Sequence, residues 1–387
     1  MSKLRFTFKG TGKDINPQLP NWPNLARLLI DKLDDPADYF VEDEGLIAAV
    51  NTALTLGMPL LLAGESGVGK TQLGYRIAYE LGCGPIFFSV KSTTEAQDLF
   101  YHLDHLRRLH AAQANSTIVL SHVTAEKLNF ETTGFAQQQK ETKLLDVRRF
   151  IRFQGLGLAI LRAMSPEQLR AMGLWEHVWP ENERHSADHK YIQYGQRQPS
   201  VVIIDEIDKA PMDFCNDILE EIRRLQFVVP ELDNTPLSIY QNPKSPTEGE
   251  KQYRPQIIIT SNTTKSLPDA FLRRCIYYQM LPPTQEQLIK IISQRLINKE
   301  SLPVKLDTET QEKSLSFYIH LRDVISEKKP STAELLSWLL SLHEHNCGYQ
   351  EGNIEDNTWL QLAQCCLIKT EQARRQFNDY YNAWRSN

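Results

Sequence analysis

Four short apolar runs punctuate the first two-thirds of the chain: Pro59–Ala63, Ile86–Val90, Val201–Ile204 and Ile257–Thr260. Each is bounded by glycine or polar residues and is too short for a core helix. Such runs read as strands buried on both faces, the habit of a parallel sheet. Helical spacing of apolar positions fills 70–81, about 93–110 and 212–226, and EDEGLIAAVNTALTLG before the first run ends at Gly57, a residue suited to a helix C-terminus. Strands alternating with helices predict an α/β domain with a parallel sheet. From Thr284 onward the pattern is helical throughout. Thr284 with Gln287, and Ser331 with Glu334, each carry capping-box spacing after a proline, so 284–387 is expected to be a small all-helical domain.

Three stretches break this scheme. Residues 1–39 form an N-terminal extension with the turn-forming GTGKD. Polar segments at 111–150 and 165–199 lengthen the passage between the second and third runs, and 232–256 forms a long loop before the fourth. Loops of that length in a compact domain are usually functional or mobile. Gly155-Leu-Gly157 reads as a tight turn ahead of a helix.

Composition narrows the class. With 41% hydrophobic and 24% charged residues, the chain has ample core material and is not of the disordered type. Its 43 basic residues are outweighed by 48 acidic ones, for a formal charge of -5, which argues against nonspecific binding of nucleic acid. The six cysteines form no C-x-x-C pair, and the first twenty residues have no apolar core of a signal peptide. No apolar run is long enough to cross a bilayer. A soluble cytoplasmic protein is expected.

The chemistry concentrates at strand ends. Gly64-Glu65-Ser66-Gly67-Val68-Gly69-Lys70-Thr71 fits G-x-x-x-x-G-K-[ST] between a buried strand and a helix that continues through Gln72. In such a loop, glycines let backbone amides turn toward phosphates, the lysine adds a positive charge, and the hydroxyl offers magnesium an oxygen. Asp205 and Glu206 close the third run, where α/β sheets bind their ligands. Asp205 is suited to hold magnesium through water, and Glu206 to polarise an attacking water. Asn262 ends the fourth run. Twin arginines, Arg273 and Arg274, end a short helix. The histidines at 102, 105, 110, 185, 189, 343 and 345 complete no recognisable zinc set.

Taken in order, PLLLAGESGVGKTQL, VVIIDEIDKAP, NDILEEI, FVVPE, IIITSN and LPDAFLRRC resemble the motifs of MoxR-type AAA+ ATPases over roughly 40–345. The resemblance implies an αβα nucleotide-binding sandwich over 40–281, with polar insertions near 111–199, and a helical lid over 284–387. It makes Gly64 to Thr71 Walker A, Asp205 and Glu206 Walker B, Asn262 sensor 1, and Arg274 (alternatively Arg273) the arginine finger of a neighbouring subunit. It places Tyr39 to Val41 near the adenine and makes Gly155-Leu-Gly157 a possible pore insert. The implied cofactors are ATP and Mg2+, and the implied assembly is a homo-oligomer, expected as a hexameric ring. The implied output is chaperone-like remodelling of a protein client, with a von Willebrand factor A domain protein as partner. The pattern departs at Ala333, where a sensor-2 arginine is expected; Lys328 and Lys329 precede it. Two other outputs are compatible with the residues: a nucleotide-dependent switch or scaffold in bacterial defence or signalling, and a McrB-like NTPase working with a nucleic-acid partner.

Overall fold

The computed structural model describes residues 35–113, 146–180, 193–242, 244–262, 267–297, 304–352, 354 and 357–386. The extension before residue 35, much of the first polar segment, His185 and His189 lie outside the described residues. The chain divides into two compact units. One gathers Val41–Ala63 and Gly74–Gln279; the other gathers Gly64–Leu73 with Met280–Asn387 and the described end of Met1–Phe40.

The first unit is built on a five-stranded parallel sheet. Its strands are β1 (Leu60–Ala63), β2 (Gly84–Ser89), β5 (Ser200–Asp205), β8 (Gln256–Ser261) and β9 (Ile276–Gln279), in the spatial order β2-β5-β8-β1-β9. Every residue of β1 and β8 is buried, which is why their sequences are continuous rather than alternating. Val202, Ile204, Ile257, Ile259 and Leu61 belong to one core, while the alternate residues Val201, Ile203, Ile258, Leu60 and Leu62 are buried on the other face. The four apolar runs fall on strands, each within a residue or two of its expected limits, but β2 alternates buried and exposed positions and so is buried on one face rather than on both as expected. β9 gave no such signal, because as an edge strand it alternates half-buried and exposed positions.

Helices flank the sheet. Helix α1 (Glu44–Leu56) is capped by Asp43, ends at Gly57 as expected, and packs on β1 and β9. Helix α2 (Lys70–Leu81) has the limits that its periodicity predicts, and its Gly74 lies against Ile203. Helix α3 (Gly155–Arg162) packs against β2 and β5 on the Ile204 face.

Several expectations need correction. The helix expected over about 93–110 is interrupted: a short 3-10 turn at Ala96–Leu99 leads into β3 (Tyr101–Leu103), which pairs antiparallel with β4 (Ile151–Phe153), and helix resumes only beyond Asp104. Tyr101 and Leu103 are buried with His102 exposed between them, a period of two that overrides the local helical spacing. The segment 165–180 is not a loop but two short helices, Pro166–Ala171 and Trp175–Val178, which bury Leu169, Leu174, Val178 and Trp179. The helix expected over 212–226 breaks at Ile218 into α4 (Met212–Asp217) and α5 (Leu219–Arg224). The loop 232–256 likewise carries β7 (Pro236–Ser238), a hairpin partner of β6 (Gln226–Val228).

Gly155-Leu-Gly157 is the start of α3 rather than a turn before it. A Cβ on Gly157 would lie 2.0 Å from the Phe100 carbonyl oxygen, so helix and chain touch backbone to backbone. Gln154 tightens the strap: its amide donates to Phe100 O at 3.1 Å and its side-chain Nε2 donates to Asp98 O at 2.7 Å.

The second unit carries α6 (Gln285–Ile292), α7 (Thr308–Val324), α8 (Thr332–Glu344), α9 (Thr358–Leu367) and α10 (Phe377–Ser386). Both capping boxes expected from the sequence, at Thr284 and Ser331, are formed. Phe317, Trp338, Trp359, Phe377 and Tyr381 are all buried in its core, and their rings meet at edge-to-face or tilted angles that suit aromatic quadrupoles. Asp307 caps α7, accepting from the Thr310 amide at 2.8 Å and the Thr310 hydroxyl at 2.7 Å. Among the described residues no helix is long and apolar enough to cross a membrane.

Gly157→Ala should lower unfolding free energy by about 1–3 kcal/mol, since α3 must move off Phe100. Urea denaturation checks this, with Gly249→Ala as the control because a Cβ there meets nothing within 4 Å. A second outcome depends on pH. The Thr310 amide and hydroxyl hold the Asp307 carboxyl below the usual carboxylate range. Its stabilisation is therefore present at neutral pH and is lost as pH falls through that lowered pKa. Asp307→Ala should cost about 1 kcal/mol at pH 7 and progressively less toward pH 3, read as the difference in Tm from wild type.

Candidate functional site

The loop after β1 begins where the chain leaves the sheet at Ala63. Gly67 (φ +79°) and Gly69 (φ +96°) adopt backbone conformations that L side chains avoid. Space opposes a side chain at Gly67 as well, where a Cβ would lie 2.2 Å from Ser331 Cβ, while one at Gly69 would crowd the Tyr39 ring at 3.1 Å. Lys70, the first residue of α2, is buried, and its Nζ donates to the carbonyl oxygens of Gly64 at 2.9 Å and Glu65 at 2.8 Å. The ammonium thus ties the loop across its own mouth. Glu65 and Ser66 are exposed, while Val68, Thr71 and Gln72 are half-buried.

Two groups of the same unit clasp this loop. Arg322, near the end of α7, donates from Nη2 to Glu65 Oε2 at 2.7 Å and from Nη1 to the Pro330 carbonyl. The Tyr318 hydroxyl donates to that same carbonyl at 3.1 Å. Tyr39 packs on Gly69 with the Arg295 guanidinium 5.5 Å from its ring centre, and burial pushes its hydroxyl up to about 12.

The acidic sheet edge belongs to the other unit. β5 ends at Asp205, and Glu206 follows in the left-handed region, at φ 59° and ψ 50°. A non-glycine residue there costs about 1–2 kcal/mol, so surrounding bonds must hold it. They do. The Glu206 amide donates to Thr260 Oγ1 at 2.9 Å, and Thr260 donates in turn to Asp205 Oδ1 at 2.8 Å. The Glu206 carboxylate is paired with Lys209 through Oε2, and Asn262 Nδ2 lies 3.5 Å from Oε1, at the outer limit of a hydrogen bond. Asp208 ties the base of the network, accepting from the Ser261 hydroxyl at 3.2 Å and the Asn262 amide at 3.0 Å. The Glu206 pair raises the Lys209 pKa.

Asp205, Glu206 and Asn262 are therefore brought together at one end of one sheet. Strand register explains this: Ile204 of β5 lies beside Ile259 of β8, and Ser261 of β8 lies beside Ala63, the last residue before the glycine loop. Arg273 and Arg274 do not join the network. Both are exposed, and among the described residues neither has an ion-pair partner. The surface pairing that is the usual fate of an Arg-Arg step is not made here.

Ala333, Lys328 and Lys329 are all exposed, and the cation that reaches the loop is Arg322, earlier in the chain. Among the described residues no group of three or more His, Cys, Asp or Glu is arranged to hold a metal.

Sequence reasoning missed Thr260, Asp208, Lys209 and Arg322. A hydroxyl inside the otherwise aliphatic strand IIIT was a usable sign for Thr260, because a buried polar group requires partners. Asp208 and Lys209 looked like ordinary solvated charges. Arg322 lies far along the chain and carried no local signal at all.

Thr260→Val removes the acceptor of the Glu206 amide and the donor to Asp205 while keeping shape. Stability should fall by roughly 1–3 kcal/mol, measured by chemical denaturation, because a strained residue loses its anchor. No protein-family model matches the chain, and no curated protein matches it, so its function must be argued from these two constellations.

Proposed function

We propose that this chain binds a nucleoside triphosphate with magnesium on Gly64–Thr71 and hydrolyses it, as a AAA+ ATPase of MoxR type. The observation that carries the reading is the sheet edge. The glycine loop leaves β1, β8 follows with Thr260, Ser261 and Asn262, and β5 ends in Asp205 and a strained, tethered Glu206. A solvated pair of acids at a strand end has no need of such a scaffold; a base that must hold one orientation does.

Lys70 and the loop amides neutralise and orient the phosphates. Thr71 and Asp205 offer only oxygen donors, a set that suits a hard cation keeping most of its waters. Magnesium, when bound, supplies charge neutralisation at the phosphate oxygens. Glu206 accepts a proton from the attacking water, with Asn262 beside it to orient that water. Arg274, or Arg273, exposed and without an ion pair among the described residues, serves the nucleotide of a neighbouring copy. That role requires a homo-oligomer, and the family resemblance makes it a hexameric ring with a protein client and a von Willebrand factor A domain partner. The helices from Thr284 onward act as the lid.

Calorimetry and phosphate release on the full chain test this directly. Wild type should take up Mg·ATP, and Lys70→Ala should lose that uptake. Glu206→Gln should keep binding while turnover falls by about a hundredfold or more. Arg274→Ala should keep binding and lose turnover, regaining part of it when mixed with Glu206→Gln chains whose arginine is intact. No uptake of Mg·ATP or Mg·GTP at millimolar concentration sinks the reading. Equal turnover in wild type and Glu206→Gln removes the base.

A further inference from the structure

The helix over 105–113, which follows β3, is inverted for a helix that only covers a core. Its start is fixed to the strand pair. The Asp104 amide donates to the Phe150 carbonyl at 2.9 Å, and the Asp104 carboxylate accepts from the Arg107 amide at 2.8 Å. Ala111 packs against the core of the sheet unit. At about 100° per residue, Leu106 and Leu109 then fall on the face away from Ala111, with Arg107 and Arg108 on the two flanks. The exposures agree: Leu106 is 71% exposed and Leu109 52%, so the helix keeps its alanine inside and its leucines in water.

The surroundings of the two leucines are cationic. His105, Arg107, Arg108 and His110 are exposed on the same helix, and His102 and Arg152 face each other on the exposed side of β3 and β4. Among the described residues Arg107, Arg108 and Arg152 have no ion-pair partner. The acids nearest in the chain are already engaged, Asp104 with the Arg107 amide and Asp98 with the Glu95 amide at 2.9 Å. A chain of formal charge -5 thus carries an unneutralised basic surface around exposed leucines. The chemistry selects the occupant. A second copy of the same face would set arginine against arginine. Nucleic acid would meet the arginines but give the leucines no apolar partner. Two leucines are a small footprint for a helix lying on a bilayer, where binding grows with buried apolar area. An acidic segment with apolar side chains of its own satisfies both features.

We propose that this face of the helix, Leu106 and Leu109 flanked by Arg107 and Arg108, docks an acidic, leucine-bearing segment of a partner protein. The leucines supply the dehydrated centre of the contact and the arginines its charged rim. Arginine suits that rim, because its fork takes a carboxylate in two parallel bonds. The surface includes no residue of the glycine loop or of the acidic sheet edge, so the docking stands or falls apart from the nucleotide-binding reading.

Fluorescence anisotropy on the full chain tests the docking with a labelled synthetic peptide of glutamates and leucines at helical spacing. Two analogues carry glutamine for every glutamate or alanine for every leucine. Wild type should bind the parent peptide saturably, more weakly as salt is raised, and each analogue about tenfold more weakly than the parent. Leu106→Ser with Leu109→Ser, and separately Arg107→Glu with Arg108→Glu, should each weaken the parent peptide by on the order of tenfold. Lys328→Glu with Lys329→Glu, the same change of charge at exposed positions of the other unit, should leave it unaltered. Vesicles of phosphatidylglycerol and a single-stranded oligonucleotide serve as rival probes. The assignment is overturned if the parent peptide shows no binding at about 100 μM, if either analogue binds as well, or if either variant of the helix keeps the wild-type affinity. An equal loss in the Lys328 and Lys329 variant marks a general charge effect and overturns it too. Binding of the vesicles or the oligonucleotide in place of the peptide, lost in the same helix variants, marks a membrane or nucleic-acid surface and also overturns it. The three peptides on wild type decide the matter even where a variant folds poorly.

Discussion

Burial of the parallel sheet on both faces is the constraint on which the rest of this architecture depends. β1 and β8 are buried along their whole length and β5 up to its last residue, so none can slip by a residue without driving side chains into the wrong layer. Fixed register brings Ala63, Asp205 and Ser261 to one end of the sheet. The glycine loop and the carboxylates are chemically unremarkable in isolation. The last residue of β1 and the acidic end of β5 lie at the same end of the sheet, on either side of β8.

Around Glu206 the same logic operates on a smaller scale. A left-handed glutamate is unfavourable on its own, and it persists because Thr260 offers a buried acceptor to its amide while also satisfying Asp205. Lys209 and Asn262 then address the two carboxylate oxygens separately. One hydroxyl in an aliphatic strand thereby couples backbone strain, carboxylate orientation and strand pairing. Local instability at Glu206 is balanced within its immediate neighbourhood rather than by the core at large.

Much of this was legible in the sequence, and the reasons are physical. Continuous apolar runs identify β1, β5 and β8 as strands buried on both sides, though not β2, which is exposed on one, and the limits of α2 follow from its 3.6-residue period. Both capping boxes were readable because capping is local. The misses share a cause. β9 at the sheet edge and the short pairs β3–β4 and β6–β7 depend on partners distant in the chain, so their own residues carry weak signals. Arg322 is the extreme case: nothing near it in sequence indicates that it meets Glu65, hundreds of residues earlier. At the site, the loop, Asp205, Glu206 and Asn262 were legible as strand-end chemistry, whereas the groups that hold them in place were not.

The contact between Gly157 and Phe100 has a mechanical consequence. Where two backbones touch without intervening side chains, no soft layer remains to absorb relative motion. The β3–β4 pair is held against α3 at that point and by the bonds of Gln154 to Phe100 and Asp98. Through α3 the β3–β4 pair is thus packed onto β2 and onto β5, the strand that ends in Asp205.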